Sequence, residues 1–242
     1  LEGLVKRGWV KKVASTRAAK QFVRGPVVIS RLIVITKERK VKDNRGRIQK
    51  KIKKRLILNL KRSGITAAAA KLERPELPRT LDIIFSNLEL MRKIRDSPGW
   101  RLRHIVLDFV HAFFNFPGCE SERCYFMTRL RGAIYIWLRI AQGSRGAPMI
   151  CGRALAQAMR ISCSTIREDQ VAAGTYVDDP LSTFAGTDED IDKNIGKLVG
   201  VLLAIGYDLA FNKAQDSDET QSLTWTSAVL EILHDELAIR VS

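Results

Sequence analysis

The sequence predicts an α+β fold in which helices pack on an antiparallel sheet. Three observations lead there. From residue 80 onward the patterns run helix, strand, hairpin, loop and helix, strand hairpin, helix and strand, which is the order of an α+β layer. Hydrophobic residues make up 45% of the 242, enough for a real core in one or two domains. No internal repeat or low-complexity segment interrupts the chain.

Taken in order, residues 1–25 read as helical or irregular. The β-branched runs Val27-Val28-Ile29 and Arg31-Leu32-Ile33-Val34-Ile35 read as strand, followed by a hairpin-like basic loop at Asp43-Asn44-Arg45-Gly46. Arg55-Leu56-Ile57-Leu58-Asn59-Leu60, bounded by Lys runs and by Ser63-Gly64, is a further strand. The first 65 residues or so therefore form a small basic β-rich unit. Helical spacing covers residues 67–72 and 81–95; in the second stretch Leu81, Ile84, Phe85, Leu88 and Met91 mark the expected apolar face, and Ser97-Pro98-Gly99 ends it. His104-Ile105-Val106-Leu107-Asp108-Phe109 is a short apolar run that closes on a carboxylate. Gln142-Gly143-Ser144-Arg145-Gly146-Ala147-Pro148 is a glycine-bearing loop that feeds a helix through Ile166, with Pro148 at a suitable first position. Between Gly174 and Phe184 two β-prone arms flank Asp178 and Asp179, which puts two carboxylates on a hairpin tip. A helix from about Glu189 to Ile205 starts at Thr187-Asp188.

The charge is as uneven as the structure is mixed. Residues 1–62 hold 21 Lys and Arg against three acids, whereas residues 63–242 hold 20 against 23, so the whole excess behind the net +15 lies in the first quarter. The block Lys50-Lys51-Ile52-Lys53-Lys54-Arg55 concentrates potential where a polyanion would release counterions on binding; a solvated basic face or a nuclear localisation patch is the plainer alternative. No apolar stretch approaches membrane-spanning length, and no secretory signal opens the chain. Cys119, Cys124, Cys151 and Cys163 form neither a dense disulfide framework nor a zinc set, and His104, His111 and His234 lack metal-ligand spacing. Free thiols in a reducing, cytoplasmic or nuclear setting are the expectation. Trp9, Trp100, Trp137 and Trp225 fit packing better than base stacking.

Adjacent carboxylates on a tight turn repel each other unless water or a cation screens them, and hard divalent ions take such oxygen ligands. With Asp108 at a strand end as a third acid, the set suits two-metal phosphoryl transfer. Asp-Asp is also common in solvated turns, and spacing alone leaves both readings standing.

The residue pattern goes further. Tyr176-Val177-Asp178-Asp179 between two β-prone arms resembles the signature turn of reverse transcriptases. Val106 to Phe114 resembles the family's first catalytic-aspartate motif, Ala141 to Pro148 its Gln-Gly loop, Gly206 to Lys213 its later lysine motif, and Lys54 to Leu58 its basic fingers motif. Five motifs fall in the family's order across roughly residues 27–232.

The resemblance implies the fingers and palm of a right-hand polymerase, with an antiparallel palm sheet on helices: fingers at 1–80, palm at 81–242, and part of the fingers inserted near 115–150. It implies two Mg²⁺ ions, or Mn²⁺, held by Asp108, Asp178, Asp179 and the carbonyl of Phe109. Phe113 is implied to exclude the 2′-hydroxyl of ribonucleotides, Arg55 to meet the triphosphate with Lys51 or Lys50 as its neighbour, and Gln142 and Gly143 to pack nucleotide and template. Lys213 is implied to protonate the leaving pyrophosphate. Lys50, Lys53, Lys54, Tyr176 and Trp225 are the expected nucleic-acid contacts, with Leu223-Thr224-Trp225-Thr226 opening a primer-gripping hairpin.

The implied partners are dNTPs and an RNA or DNA template with its primer, with no membrane. The chain departs from the pattern at His111, at Asn59 and at Pro180, where a missing N–H is expected to distort the catalytic turn. It opens on Leu1 and leaves about 15 residues beyond the primer grip, so the thumb is expected to be truncated or absent, with RNase H and integrase domains missing. The alternatives are an inactive remnant that binds nucleic acid through its basic segment, or another palm-type RNA-templated polymerase.

Overall fold

A computed structural model describes residues 1–242 apart from 43–47, 71–72, 74–75, 221, 227, 234–237 and 242, and gives backbone alone for 39–42, 48–49, 51, 53, 233 and 238–241. The expected loop at Asp43-Asn44-Arg45-Gly46 and His234 lie outside the described residues. In chain order the elements are α1 (Glu2–Lys6), β1 (Val10–Val13), α2 (Thr16–Val23), β2 (Arg31–Lys42), β3 (Ile48–Asn59), α3 (Ile65–Ala68), α4 (Thr80–Arg95), β4 (Arg101–Val106), β5 (Met127–Leu130) and β6 (Ala133–Trp137). There follow α5 (Ala147–Cys163), β7 (Val171–Tyr176), β8 (Asp179–Gly186), α6 (Asp188–Ala204), β9 (Gln215–Asp216), β10 (Leu223–Trp225), β11 (Ala228–Leu233) and β12 (Ala238–Val241).

These elements form two units, one of residues 1–73 and 113–147, the other of residues 74–112 and 148–242. The first holds a sheet ordered β1-β6-β5 and the two-stranded ribbon β2-β3, all antiparallel. One face of its sheet seats Val10, Tyr135 and Trp137 against Leu58, Leu60 and Ala141 at the base of the ribbon. The other face packs Met127, Ile134 and Ile136 on Ala19 of α2, whose N-cap Ser15 accepts a hydrogen bond from the Ala18 N–H at 3.1 Å.

The second unit holds the sheet β7-β8-β4-β9 and the meander β10-β11-β12. Helix α4 lies on β7 and β8 and approaches closely at Gly174, where a Cβ would stand 2.5 Å from the Ile83 Cδ1 and oblige that side-chain end to shift. Leu181, Val106, Ile83, Leu223, Trp225 and Leu230 form one buried cluster, and each large side chain sealed this way contributes about 1.5–3 kcal/mol. Helix α6 opens on Thr187, whose hydroxyl accepts from the Asp190 N–H, with Asp188, Glu189 and Asp190 suited to the positive helix end.

An ion network pins β4 to its neighbours. Arg101 engages Asp188 and Asp218, the latter at 2.7 Å, while Arg103 forks onto Asp216 at 2.5 and 2.9 Å and also reaches Asp192 and Asp218.

Several expectations are corrected. Val10–Val13 is a strand within the stretch read as helical or irregular, because pairing with β6 overrides its two lysines. Val27-Val28-Ile29 forms no named strand; Ile29 makes a single parallel bridge to Met127. The strand expected at 55–60 starts at Ile48, since the ribbon carries the Lys run into its ladder. The helix expected at 67–72 is one short turn, Ile65–Ala68, with 71–72 outside the described residues. Helix α4 stands where expected, but it buries Ile83, Asn87, Leu90 and Ile94, leaving Leu81 and Phe85 55% and 64% exposed.

Candidate active site

The site is built at one end of the β7-β8-β4-β9 sheet. Val106 pairs with Leu181 and the Leu107 N–H donates to the Pro180 carbonyl at 3.1 Å, so the next step in register brings Asp108 level with Asp179. Strands β7 and β8 close through a two-residue turn, Val177-Asp178, with Tyr176 paired to Asp179. Val177 sits at φ +59°, a left-handed conformation that costs a β-branched residue about 1–3 kcal/mol and that the surrounding packing must hold. Pro180 does not distort this hairpin: it is buried, pairs with Thr175, and lends its carbonyl to Leu107.

Two neighbours brace the turn. The Trp225 indole N–H donates to the Asp179 carbonyl at 2.9 Å, and the Trp225 ring meets Tyr176 edge-on at 6.4 Å. On α5, a Cβ at Gly152 would lie 3.5 Å from the Val177 Cα. Burial pushes the neighbouring Cys151 thiol up to about 12, and the negative charge of Asp178 pushes in the same direction.

A strap then crosses the end of β4. The Val110 N–H donates to the Asp208 carbonyl and the Ala210 N–H to the Asp108 carbonyl, both at 2.8 Å, around a bridge between Phe109 and Leu209. The peptide groups of Phe109 itself therefore face away from the strap. Its ring is buried, edge-on to Tyr207 at 5.4 Å. A single 3₁₀ turn, Phe211–Lys213, leads into β9, which pairs with Ile105 and Val106. Anchored at both ends, the strap delivers Lys213 to Asp108, with Nζ 2.6 Å from Oδ1.

In chemistry, Asp108, Asp178 and Asp179 fit a hard divalent cation, since carboxylate oxygens are what such ions take. In arrangement they are not gathered. Asp108 is held by the Lys213 ammonium, and among the described residues no three His, Cys, Asp or Glu side chains could together hold a metal ion.

The remaining expected residues belong to the first unit. Gly143 has φ +105°, and a Cβ there would stand 2.5 Å from the Leu58 carbonyl oxygen, while the Gln142 carbonyl accepts from the Leu58 N–H at 3.2 Å. The Gln-Gly loop is thereby locked onto β3, and only glycine permits the approach. Phe113 is half-buried, and Arg55, Lys50 and Lys54 are exposed. Lys51 and Lys53 lie in the β3 ladder opposite Arg39 and Lys37.

Trp225 is corrected: at 1% exposure it is a core residue bracing the turn and offers no face to a base. Asn59 caps the turn after β3, its Oδ1 accepting from the Arg62 N–H. The sequence reading missed Arg101 and Arg103, which carry no signal beyond charge within a strand.

No family model matches the chain, and no curated protein matches it. Among solved structures it is similar to the foamy virus protease-reverse transcriptase bound to an RNA/DNA hybrid, at 14% identity and a TM-score of 0.60, over 95% of this chain and 25% of that one. The foamy virus protein bound to double-stranded DNA matches at 14% identity and 0.57, over 94% and 32%. The native prototype foamy virus enzyme matches at 17% identity and 0.57, over 93% and 24%. The fold is that of reverse transcriptase fingers and palm. The chain spans about a quarter to a third of the length of these structures.

Proposed function

We infer that the chain is the fingers and palm portion of an RNA-directed DNA polymerase of a retroelement, adding deoxynucleotides to a primer 3′ end. The observation that carries this reading is the register that levels Asp108 with Asp179 beside a turn bearing Asp178, at the end of a reverse transcriptase-like palm sheet. Asp108, Asp178 and Asp179, with the Phe109 carbonyl, would hold Mg²⁺ or Mn²⁺. When bound, such ions activate the attacking hydroxyl and neutralise charge on the leaving pyrophosphate.

The chain's own residues supply the rest. Lys213, next to Asp108, is the proton donor to the leaving pyrophosphate. Arg55 meets the triphosphate through its forked donors, with Lys51 as the second candidate further along β3. The Phe113 ring excludes a 2′-hydroxyl by bulk. Gln142 and Gly143 pack against nucleotide and template, and Lys50, Lys53, Lys54 and Tyr176 contact nucleic acid. The template is RNA or DNA, and the neighbours whose structures are complexes with double-stranded DNA and with an RNA/DNA hybrid support nucleic acid as the partner.

A second reading, a nucleic-acid-binding remnant without catalysis, draws on the Lys213–Asp108 pair and the ungathered carboxylates. Extension of a DNA primer on an RNA template, with dNTPs and Mg²⁺ or Mn²⁺, decides between them when run on this chain and on the longer polypeptide that contains it. Metal-dependent extension lost in Asp178→Asn supports the polymerase. Salt-sensitive RNA binding indifferent to that substitution, with no extension by either protein, leaves the binding module.

A further inference from the structure

We propose that Lys213 is a resident counter-cation of Asp108, which a divalent ion must displace to reach that carboxylate. The proposal rests on the reading of Asp108 as a metal ligand and adds what holds the site when no metal is there.

The Lys213 ammonium lies 2.6 Å from Asp108 Oδ1, a charge-assisted hydrogen bond at the short end of the range. A hard divalent ion needs the same carboxylate at a metal–oxygen distance of about 2.0–2.1 Å, and an ammonium already on it both takes a lone pair and repels the incoming charge. The backbone of Lys213 is fixed, because the strap is bonded to the extension of β4 at Asp108 and Val110 and β9 is paired with Ile105 and Val106. Its four-carbon stem is not: the side chain is 44% exposed, so it can swing off Asp108 without disturbing the strap.

The pair also offsets part of the repulsion among three carboxylates at one sheet end: Lys213 neutralises Asp108, while Asp178 stands half-buried and Asp179 exposed on the turn. Displacement frees the ammonium only when the ion arrives, so the group read as proton donor is released by the same event that loads the site.

The test measures Mn²⁺ binding by electron paramagnetic resonance and, in parallel, acetylation of Lys213 by mass spectrometry at fixed pH. Lys213→Gln is expected to tighten Mn²⁺ binding about fivefold, the scale of a half-exposed ion pair. Lys193→Gln, which removes an exposed charge from α6, is expected to leave it unchanged. Acetylation of Lys213 is expected to rise severalfold on Mn²⁺ saturation, and to be high without metal in Asp108→Asn. Asp178→Asn should weaken Mn²⁺ binding, which identifies the ion measured as the one at this site. If wild type binds Mn²⁺ at a site sensitive to Asp178→Asn, yet Lys213 acetylation and the Lys213→Gln affinity do not change, the proposal fails and the polymerase reading stands. If neither wild type nor Lys213→Gln binds Mn²⁺, both fail.

Discussion

The indole N–H of Trp225 and the main-chain carbonyl of Asp179 are joined by a 2.9 Å hydrogen bond, so the strand after the strap holds the turn that carries both adjacent carboxylates. Trp225→Phe keeps most of the packing but removes that indole donor, and is expected to cost about 0.5–1.5 kcal/mol. Trp225→Ala adds a cavity and is expected to cost about 3–5 kcal/mol. Urea denaturation measures both. A Phe variant as stable as wild type would show that the hydrogen bond contributes nothing to holding the turn.

Gly143 and Gly200 make an opposed pair. At Gly143 a methyl would stand 2.5 Å from the Leu58 carbonyl oxygen at φ +105°, so Gly143→Ala must break the loop away from β3, at a cost of about 2 kcal/mol or more. Gly200 lies inside α6 with open space around its Cβ position, so Gly200→Ala is expected to stabilise by about 1 kcal/mol. Thermal melts read the sign of each, and hydrogen exchange at the Leu58 amide should quicken in the first alone.

What was legible in the sequence was whatever is encoded locally. Tyr176 to Asp179 between β-prone arms, Thr187 before α6 and Asp108 closing an apolar run each carry their structure within a few residues, and all three stand where expected. What failed was whatever depends on partners distant in sequence. Val10-Lys11-Lys12-Val13 is a strand only because β6 lies beside it, more than a hundred residues on. The buried face of α4 was hidden because Asn87 breaks its apolar stripe; among the described residues neither side-chain amide atom of this buried residue finds a hydrogen-bond partner. The strip of larger hydrophobics at Leu81, Phe85 and Leu88 offered a stronger pattern that the fold leaves exposed. At the site, the carboxylates and Lys213 could be picked out by type, while their pairing depends on a strap held by backbone bonds that no side-chain pattern reports.

The ribbon carries like charges opposite one another. Its register sets Lys37 opposite Lys53, Arg39 opposite Lys51 and Lys40 opposite Lys50, with Glu38 4.0 Å from Lys50 as an acid within the ladder, so the ribbon concentrates positive charge suited to a polyanion. Replacing exposed Lys50, Lys54 and Arg55 by Gln is therefore expected to weaken single-stranded RNA binding evenly across sequences. It should also flatten the slope of log K against log salt by about 2, at roughly 0.7 per phosphate contact. Fluorescence anisotropy at several salt concentrations gives the slope, and an unchanged slope would remove the ribbon from the RNA interface.

Cys119, Cys151 and Cys163 should separate by reactivity. Cys119 is exposed, and a hydrogen bond with Ser121 pulls its thiol below the usual range, whereas burial pushes Cys151 up to about 12 and Cys163 up to about 11. The sign follows from which form the fold favours. Burial favours the neutral thiols of Cys151 and Cys163, so the stability they contribute is complete below the unfolded thiol pKa of about 8.5 and is lost as pH rises from there toward the folded values. At pH 8, a pulse of iodoacetamide followed by mass spectrometry should label Cys119 first, half-buried Cys163 more slowly, and Cys151 only at the rate of unfolding. Between pH 8 and 10 the urea midpoint of wild type should fall more than that of Cys151→Ala. Labelling of Cys151 as fast as Cys119 in folded protein would mean that α5 does not seal it beneath the Val177-Asp178 turn.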